Sequence, residues 1–130
     1  MAQDPLTVSC SSTAGNASPA HERLGAGDLT RVSSFLARTV PVMAQMRGIT
    51  PEEVLAERLA APMTREAMHA RLAAVTDAEE LDRVMRLLRR DTMVTVAGRD
   101  ITGACDFAEV VATMTALAEE TVSAAVRVHA

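Results

Sequence analysis

Glu66 and His69 have the only spacing in this sequence that could bind a metal ion. They stand three residues apart in a predicted helix, the Glu-x-x-His pattern that supplies ligands in di-iron helix bundles. Such a site needs a second copy of the motif and further inward carboxylates, and the sequence has no second copy. The pattern therefore favours an exposed helical histidine, and no metal site is predicted.

A second chemical candidate is the basic cluster of Arg83, Arg86, Arg89 and Arg90. Clustered guanidinium groups could bind phosphate. Two acidic residues precede them at the i, i+4 spacing that forms ion pairs along a helix, with Glu79 before Arg83 and Asp82 before Arg86. The spacing favours a solvent face held by these ion pairs over a phosphate site.

The other reactive side chains form no catalytic constellation. The histidines His21, His69 and His129 are scattered, and the serines and threonines have no evident His and acid partners. Glu119 and Glu120 are adjacent, so on a helix their side chains diverge by about 100 degrees and make no ready acid/base pair. P-loop, dinucleotide-glycine and His-Glu-x-x-His motifs are absent from the sequence. We predict no catalytic, cofactor-binding or metal-binding residue and no cofactor for this chain.

Composition places the chain among small helical proteins. It has 130 residues, a net charge of −4, 48% hydrophobic residues and only 2% aromatics, so a core must use Leu, Val, Ala and the eight Met side chains. Methionine fills irregular gaps between helices. The slightly acidic balance argues against a nucleic-acid or anionic-membrane binder, which needs a clustered positive surface.

Several sequence features predict a cytoplasmic location. No run approaches the roughly 18 apolar residues of a membrane span. The first residues lack the basic start and apolar run of a signal peptide. Cys10 and Cys105, the two cysteines, are predicted to be reduced thiols.

The N-terminal half reads as a tail followed by three helices. Residues 1–27 are rich in Ser, Ala, Gly and Pro without apolar periodicity, which predicts a flexible tail before a helical domain over residues 28–130. Asp28 can cap a helix over about 28–40, which Pro41 stops or kinks before a stop signal at Gly48. Further helices are predicted over about 51–60, after a Thr-Pro-Glu-Glu start, and from a Thr64 cap.

Two long helices are predicted in the C-terminal half. Thr76 and Glu79 could form a capping box for a helix with an apolar stripe that includes Leu81, Val84 and Leu88. Residues 93–100 also permit a short hairpin, but an isolated hairpin is only marginally stable, which favours a helix to about 102. After Gly103, a capping box at Asp106 and Glu109 begins a last helix over about 107–128. Its apolar stripe runs for about six turns and contains these residues: Phe107, Val110, Val111, Met114, Leu117, Ala118, Thr121, Val122, Ala125 and Val126.

Short connections predict that the two long helices pack antiparallel, with the shorter N-terminal helices across one side. The predicted fold class is therefore all-α: a small helical bundle with two long antiparallel C-terminal helices and shorter N-terminal helices.

The chain resembles a known family most closely in these long helices. The shared segments are Leu87-Leu88-Arg89-Arg90, Met93-Val94-Thr95-Val96-Ala97, Arg99-Asp100 and Leu117-Ala118-Glu119, with Ser34-Phe35-Leu36 and Pro41 upstream. These segments, in this order, resemble the helical region near the start of the bifunctional glutamine synthetase adenylyltransferase/adenylyl-removing enzyme. The resemblance covers about residues 28–130 and is densest over 76–127. Asp91 and Thr95 stand where that family often has Arg, and Gly98 where it often has a larger residue.

The resemblance implies a role next to a catalytic core. In that family a nucleotidyltransferase core with a Gly-Lys-Leu-Gly-Gly loop and Asp-x-Asp metal ligands follows the matching region, and this sequence contains neither motif. The matched part belongs to the adenylyl-removing half, which strips AMP from glutamine synthetase by phosphorolysis. The other half adds AMP from ATP with magnesium, and both respond to glutamine and the PII signal protein. No catalytic residue of the family maps onto this chain.

Two functional hypotheses follow from the sequence. The first is a helical fragment or truncated copy of that enzyme, inactive by itself, which acts as a scaffold against the nucleotidyltransferase core. Its possible partners are that core, glutamine synthetase and the PII signal protein. The alternative is a stand-alone helical module that binds a partner, or a second copy of itself, through its apolar surface.

Overall fold

The structure is a computed structural model that describes Leu29 and residues 31–130. Within this part of the chain, five α-helices and no strands are present: α1 Ser34–Arg47, α2 Pro51–Leu59, α3 Arg65–Ala73, α4 Ala78–Ile101 and α5 Phe107–His129. The predicted all-α class is confirmed. The predicted tail, with Cys10 and His21, and the predicted Asp28 cap lie outside the described residues.

The predicted first helix is interrupted at Ser33 and extends past its predicted end, while Leu29, Arg31 and Val32 before the break are helical. Ser33 has extended backbone angles and its hydroxyl accepts a hydrogen bond from the Leu36 N–H at 3.2 Å, so the helix begins after a break at Ser33. It then continues through Pro41 and ends at Gly48, which has a φ of 69° in the left-handed region. The buried Val40, Met43 and Ala44 on either side of the proline explain why the helix continues. Their packing outweighs the hydrogen bond that proline cannot donate.

Helices α2 and α3 begin where the sequence predicts. The Thr50 hydroxyl accepts from the Glu53 N–H at 3.1 Å, and the Glu53 carboxylate accepts from the Thr50 N–H at 2.8 Å. Thr64 caps α3 by accepting from the Ala67 N–H at 3.1 Å. Both starts are local side-chain to backbone contacts, which short sequence motifs specify directly.

Helix α4 is one continuous helix of 24 residues, which excludes the hairpin over residues 93–100. Its cap is Asp77, whose carboxylate accepts from the Glu80 N–H at 2.9 Å. The predicted Thr76–Glu79 capping box was therefore wrong by one residue. A carboxylate at the cap also interacts favourably with the positive end of the helix dipole, which a Thr hydroxyl does not.

Helix α5 has the Asp106 cap that the sequence predicts, with the carboxylate accepting from the Glu109 N–H at 2.8 Å. The reciprocal half of the predicted capping box is replaced by a tertiary contact. The Glu109 carboxylate instead binds Arg99 of α4 through two hydrogen bonds of 2.7 and 3.1 Å. The α4–α5 connection is thus fixed at its base by an ion pair.

Two core clusters lie along α4. The first cluster joins α1, α2 and the C-terminal half of α4, and contains Leu29, Leu36, Val40, Met43, Ala44, Val54, Leu55 and Val94. The second joins α3, α5 and the N-terminal half of α4, and contains Met68, Leu72, Val75, Leu81, Leu88, Ala116, Leu117 and Ala124. Met43 and Met68 are buried and fill the core as predicted, whereas Met46 is 62% exposed. Helix α4 is the shared wall of both clusters.

Two arginines tie the ends of helices together, and no sequence pattern had indicated either. Arg127 of α5 donates to the carbonyl oxygens of Val75 at 2.9 Å and Leu72 at 2.7 Å, at the C-terminal end of α3. Arg99 of α4 donates to the Leu59 carbonyl oxygen at 2.9 Å, at the end of α2. Both guanidinium groups donate to carbonyl oxygens at or just after the C-terminal end of a helix, where cationic side chains interact favourably with the helix dipole. No described helix is long and apolar enough to cross a bilayer.

Candidate functional site

The apolar stripe of α5 has two sides with different environments. Its buried side contacts the second core cluster through Thr113, Ala116, Leu117 and Ala124. Its other side carries Phe107, Val111, Val122 and Val126, here called the exposed α5 face, of which Phe107 is 71% and Val126 63% exposed. Of the buried residues, the stripe predicted from the sequence contained only Leu117, whereas it contained all four residues of the exposed α5 face. The stripe is wider than the surface that α3 and α4 can cover.

Large apolar side chains on a single helix face indicate a contact surface. Isolated exposed apolar residues are normal on proteins. The exposed α5 face is different because its members are spaced by 4, 11 and 4 residues, close to whole helical turns, and so lie in one row. Ala118, also exposed, continues this row between Val111 and Val122. Such a row is typical of a site that packs against another protein surface.

A groove between α4 and α5 borders this face. Its volume is about 560 Å³, and its apolar walls are Met85, Met114, Leu117 and Ala118. Asp82, Arg86, Arg89 and Thr121 supply its polar lining. Ala118 belongs both to the groove and to the row of the exposed α5 face. The two features together form one surface, apolar in the middle and basic on the α4 side.

The arginine cluster does not form the predicted ion pairs. Arg83 lies 3.6 Å from Glu80 and does not pair with Glu79. Arg86 and Arg89 have no ion pair among the described residues, so the predicted Asp82–Arg86 pair is also absent. The interpretation of this segment as a salt-bridged face was therefore wrong for Arg86 and Arg89. Their charges line the α4–α5 groove instead.

Arg90, the fourth member of the cluster, does not line the α4–α5 groove and contacts Met46 of α1 instead. One terminal nitrogen lies 3.5 Å from the Met46 sulfur, and its Nε atom lies 3.8 Å from the nearer carboxylate oxygen of Asp91. Asp91 itself accepts a hydrogen bond of 2.8 Å from Arg71 on α3. Asp91 therefore serves as an ion-pair partner between α3 and α4.

His69 of α3 and the adjacent Glu119 and Glu120 of α5 meet in a charged cluster with Arg65. Arg65 donates to Glu119 at 2.7 Å and to Glu120 at 3.1 Å, and His69 Nδ1 lies 3.1 Å from Glu120. The hydrogen bond to His69, then that to Arg65, holds the pKa of Glu120 below its ordinary value. The two adjacent glutamates, expected to diverge, thus bind one guanidinium. This arrangement clamps α3 to α5.

The remaining predicted candidates stay apart from this cluster. Glu66 is exposed on α3, and within the described residues no group of three or more His, Cys, Asp and Glu side chains could hold a metal ion. Cys105 is a buried cysteine in the α4–α5 connection. His129 is exposed at the last residue of α5.

Three curated proteins with sequences similar to this chain are all named bifunctional glutamine synthetase adenylyltransferase/adenylyl-removing enzyme. The chain is 34% identical over 102 residues to the bifunctional glutamine synthetase adenylyltransferase/adenylyl-removing enzyme of Nitrosomonas eutropha, which covers 72% of this chain and 11% of that protein. It is 38% identical over 90 residues to the enzyme of the same name from Burkholderia mallei, covering 61% of this chain and 10% of that protein. The chain thus spans about a tenth of the length of these relatives.

A family model gives the same result over a longer segment. The model described as glutamate-ammonia ligase adenylyltransferase matches residues 27–130. No solved structure matches the chain. Because the family match includes all five helices and the surface that they form, the chain belongs to the glutamate-ammonia ligase adenylyltransferase family.

Proposed function

We propose that this chain is a helical scaffold of the bifunctional glutamine synthetase adenylyltransferase/adenylyl-removing enzyme, and that it docks on the catalytic nucleotidyltransferase core. The single observation that carries this proposal is the exposed α5 face. Phe107, Val111, Val122 and Val126 form an apolar row that the described part of the chain leaves uncovered. Burying such side chains against another surface is favourable by roughly 25 cal/mol per Å² of apolar area.

The size of the relatives supports the catalytic core as the occupant. The match covers only 10–11% of the curated enzymes, so nearly all of each such protein lies outside the part that resembles this chain. If the exposed α5 face packs against the rest of a large enzyme, no separate partner protein is needed to cover it. The basic groove residues Arg86 and Arg89 would then face acidic side chains on the core.

The proposed role assigns the chemistry to the core and not to this chain. ATP and magnesium would bind to the core, and glutamine synthetase and the PII signal protein would be partners of the assembled enzyme. This chain alone would neither add AMP to glutamine synthetase nor remove it, and would act in the cytoplasm.

Co-expression would test the docking role. The Nitrosomonas eutropha enzyme, with its matching segment deleted, would be co-expressed with this chain and purified through a tag on the enzyme. We expect the wild-type chain to co-purify and Val122→Glu to abolish the complex, because a carboxylate would be placed in an apolar contact. Val42→Glu is the matched control, since Val42 is a half-exposed valine on α1, away from the α5 face.

The same proteins would distinguish the alternative of a stand-alone module. If the chain alone forms a dimer by light scattering, and Val122→Glu makes it a monomer, the exposed α5 face binds a second copy. If the wild-type chain stays monomeric and does not bind the deleted enzyme, the docking proposal is wrong. Equal loss of binding in Val42→Glu would also reject the α5 face as the contact site.

A further inference from the structure

A second cavity lies at the junction of α1, α2, α3 and α4, away from the exposed α5 face. Its volume is about 400 Å³. The charged side chains that line it are Arg47, Glu57, Arg58, Arg71, Arg90 and Asp91. Four guanidinium groups against two carboxylates leave two excess positive charges in the lining. A cavity with this balance attracts anions.

The two carboxylates are already engaged by two of the four arginines. Arg47 binds Glu57 through both terminal nitrogens, one of them at 3.0 Å, and Arg71 donates to Asp91 at 2.8 Å. The hydrogen bond from Arg47 holds the pKa of Glu57 below its ordinary value, so Glu57 is ionised at neutral pH. Arg58 and Arg90 receive much weaker contacts, with nitrogen to oxygen distances of 3.9 Å to Glu57 and 3.8 Å to Asp91.

Arg58 and Arg90 therefore have unused hydrogen-bonding capacity. Their Nε atoms are buried and have no hydrogen-bond partner among the described residues. A buried donor on a charged group is costly to leave without an acceptor. The carboxylates at 3.8 and 3.9 Å are too far away to serve. A phosphate oxygen in the cavity would supply the missing acceptor, since the other hydrogen-bond contact of Arg90 is the weak acceptor sulfur of Met46 at 3.5 Å.

We propose that this cavity is a phosphate-binding site, in which Arg58 and Arg90 bind the phosphate oxygens and Arg47 and Arg71 supply the surrounding charge. A planar guanidinium group binds two phosphate oxygens at once, which gives both strength and orientation. A phosphate dianion neutralises the two excess charges, whereas a monocarboxylate neutralises one. The inference rests on the cavity alone and does not depend on the proposed docking role.

Calorimetry with the full chain would test this site. Inorganic phosphate, AMP, ATP and acetate would be titrated at constant ionic strength, with chloride as the reference. We expect phosphate to bind and acetate to bind more weakly. Equal affinity for phosphate and AMP would indicate a site for free phosphate, and tighter binding of AMP or ATP would indicate a site for the phosphate group of a nucleotide. Phosphate binding no tighter than acetate would overturn the proposal.

Variants separate anion binding from a structural role. Arg58→Met and Arg90→Met should each weaken phosphate binding about tenfold or more. Arg83→Met is the matched control on α4, since Arg83 is exposed and its nearest carboxylate lies at 3.6 Å. Arg58→Lys keeps the charge without the planar fork, so it should fold and bind phosphate with reduced affinity.

The melting temperature in phosphate-free buffer is a second measurement that separates phosphate binding by Arg58 and Arg90 from a structural role. If Arg58 and Arg90 serve phosphate, the Met variants should melt at or above the wild-type temperature without phosphate, because like charges are removed. They should also lose the stabilisation that phosphate gives the wild type. Lower melting temperatures in phosphate-free buffer, together with unchanged phosphate affinity, would show that these arginines only hold the helices together.

Discussion

The Leu59 side chain at the end of α2 occupies the space that a Cβ atom on Gly98 would need. A Cβ built at Gly98 would lie 3.2 Å from Leu59 Cγ and closer still to its Cδ1 atom. From the sequence alone, a glycine at position 98 predicts only a weakened helix interior. In the structure the missing side chain allows α2 to pack directly on α4, next to the Arg99 contact with the Leu59 carbonyl.

The effect of Gly98→Ala on the free energy of unfolding should therefore change sign when Leu59 is replaced by alanine. In the wild type, alanine gains up to about 1 kcal/mol of helix propensity but displaces Leu59, at a cost of about 1–3 kcal/mol, so we expect net destabilisation. In a Leu59→Ala background the clash is gone, and the same substitution should stabilise. Urea unfolding of the four proteins measures this double-mutant cycle. Equal effects in both backgrounds would contradict the close packing.

Arg99 should be the most important ion-pair residue in the fold. It is nearly buried, binds Glu109 through two hydrogen bonds and donates to two carbonyl oxygens. Arg99→Met should cost about 3 kcal/mol in the free energy of unfolding, because it leaves Glu109 and those carbonyls without their donor. Arg83→Met, which removes an exposed pair, should stay within about 0.5 kcal/mol in the same denaturation experiment. Similar losses in the two variants would argue against the Arg99 network.

The start of α4 offers a test between neighbouring residues. The Asp77 carboxylate accepts from the Glu80 N–H, whereas Thr76 is exposed outside the helix. Asp77→Ala should destabilise the protein by about 1 kcal/mol, and Thr76→Ala should have little effect. Thermal unfolding by circular dichroism measures both. A larger destabilisation by Thr76→Ala than by Asp77→Ala would instead support the Thr76–Glu79 capping box that the sequence predicts.

Glu120 should contribute a pH dependence to stability. Its pKa is lowered in the folded protein by His69 and Arg65, so the unfolded chain binds more protons than the folded chain in the acidic range. Its contribution is therefore present above the ordinary value of 4.5 and is lost as the pH falls through the lower folded value.

Melting temperatures measured across this acidic range should show the effect of Glu120 directly. Glu120→Gln should flatten the decline of the melting temperature with falling pH. Glu66→Gln is the matched control, since Glu66 is exposed on α3 with no ion pair among the described residues, and it should follow the wild-type curve. If the melting temperature of Glu120→Gln falls with pH as steeply as that of the wild type, the contacts of Glu120 with His69 and Arg65 do not contribute to the pH dependence of stability.

Local patterns in the sequence determined the number, type and starts of most helices. Thr50, Thr64 and Asp106 cap the helices that their positions predict, and Gly48 and Gly103 end helices with positive φ values. These features depend on side-chain to backbone contacts within a few residues. A local rule can therefore predict them without knowledge of the fold. The family resemblance likewise depends on linear order alone.

Only the tertiary structure decided which of these residues form the candidate surfaces. The α5 stripe is apolar over more than its buried side, and the positions of α3 and α4 determine which part stays exposed. Arg71, Arg90 and Arg99 have partners 20, 44 and 40 residues away along the chain, so no helical spacing could assign them. The sequence by itself determined the helices and the family, because both are properties of neighbouring residues. Packing between helices determined the exposed α5 face and the arginine-lined cavity, because each needs surfaces from several helices.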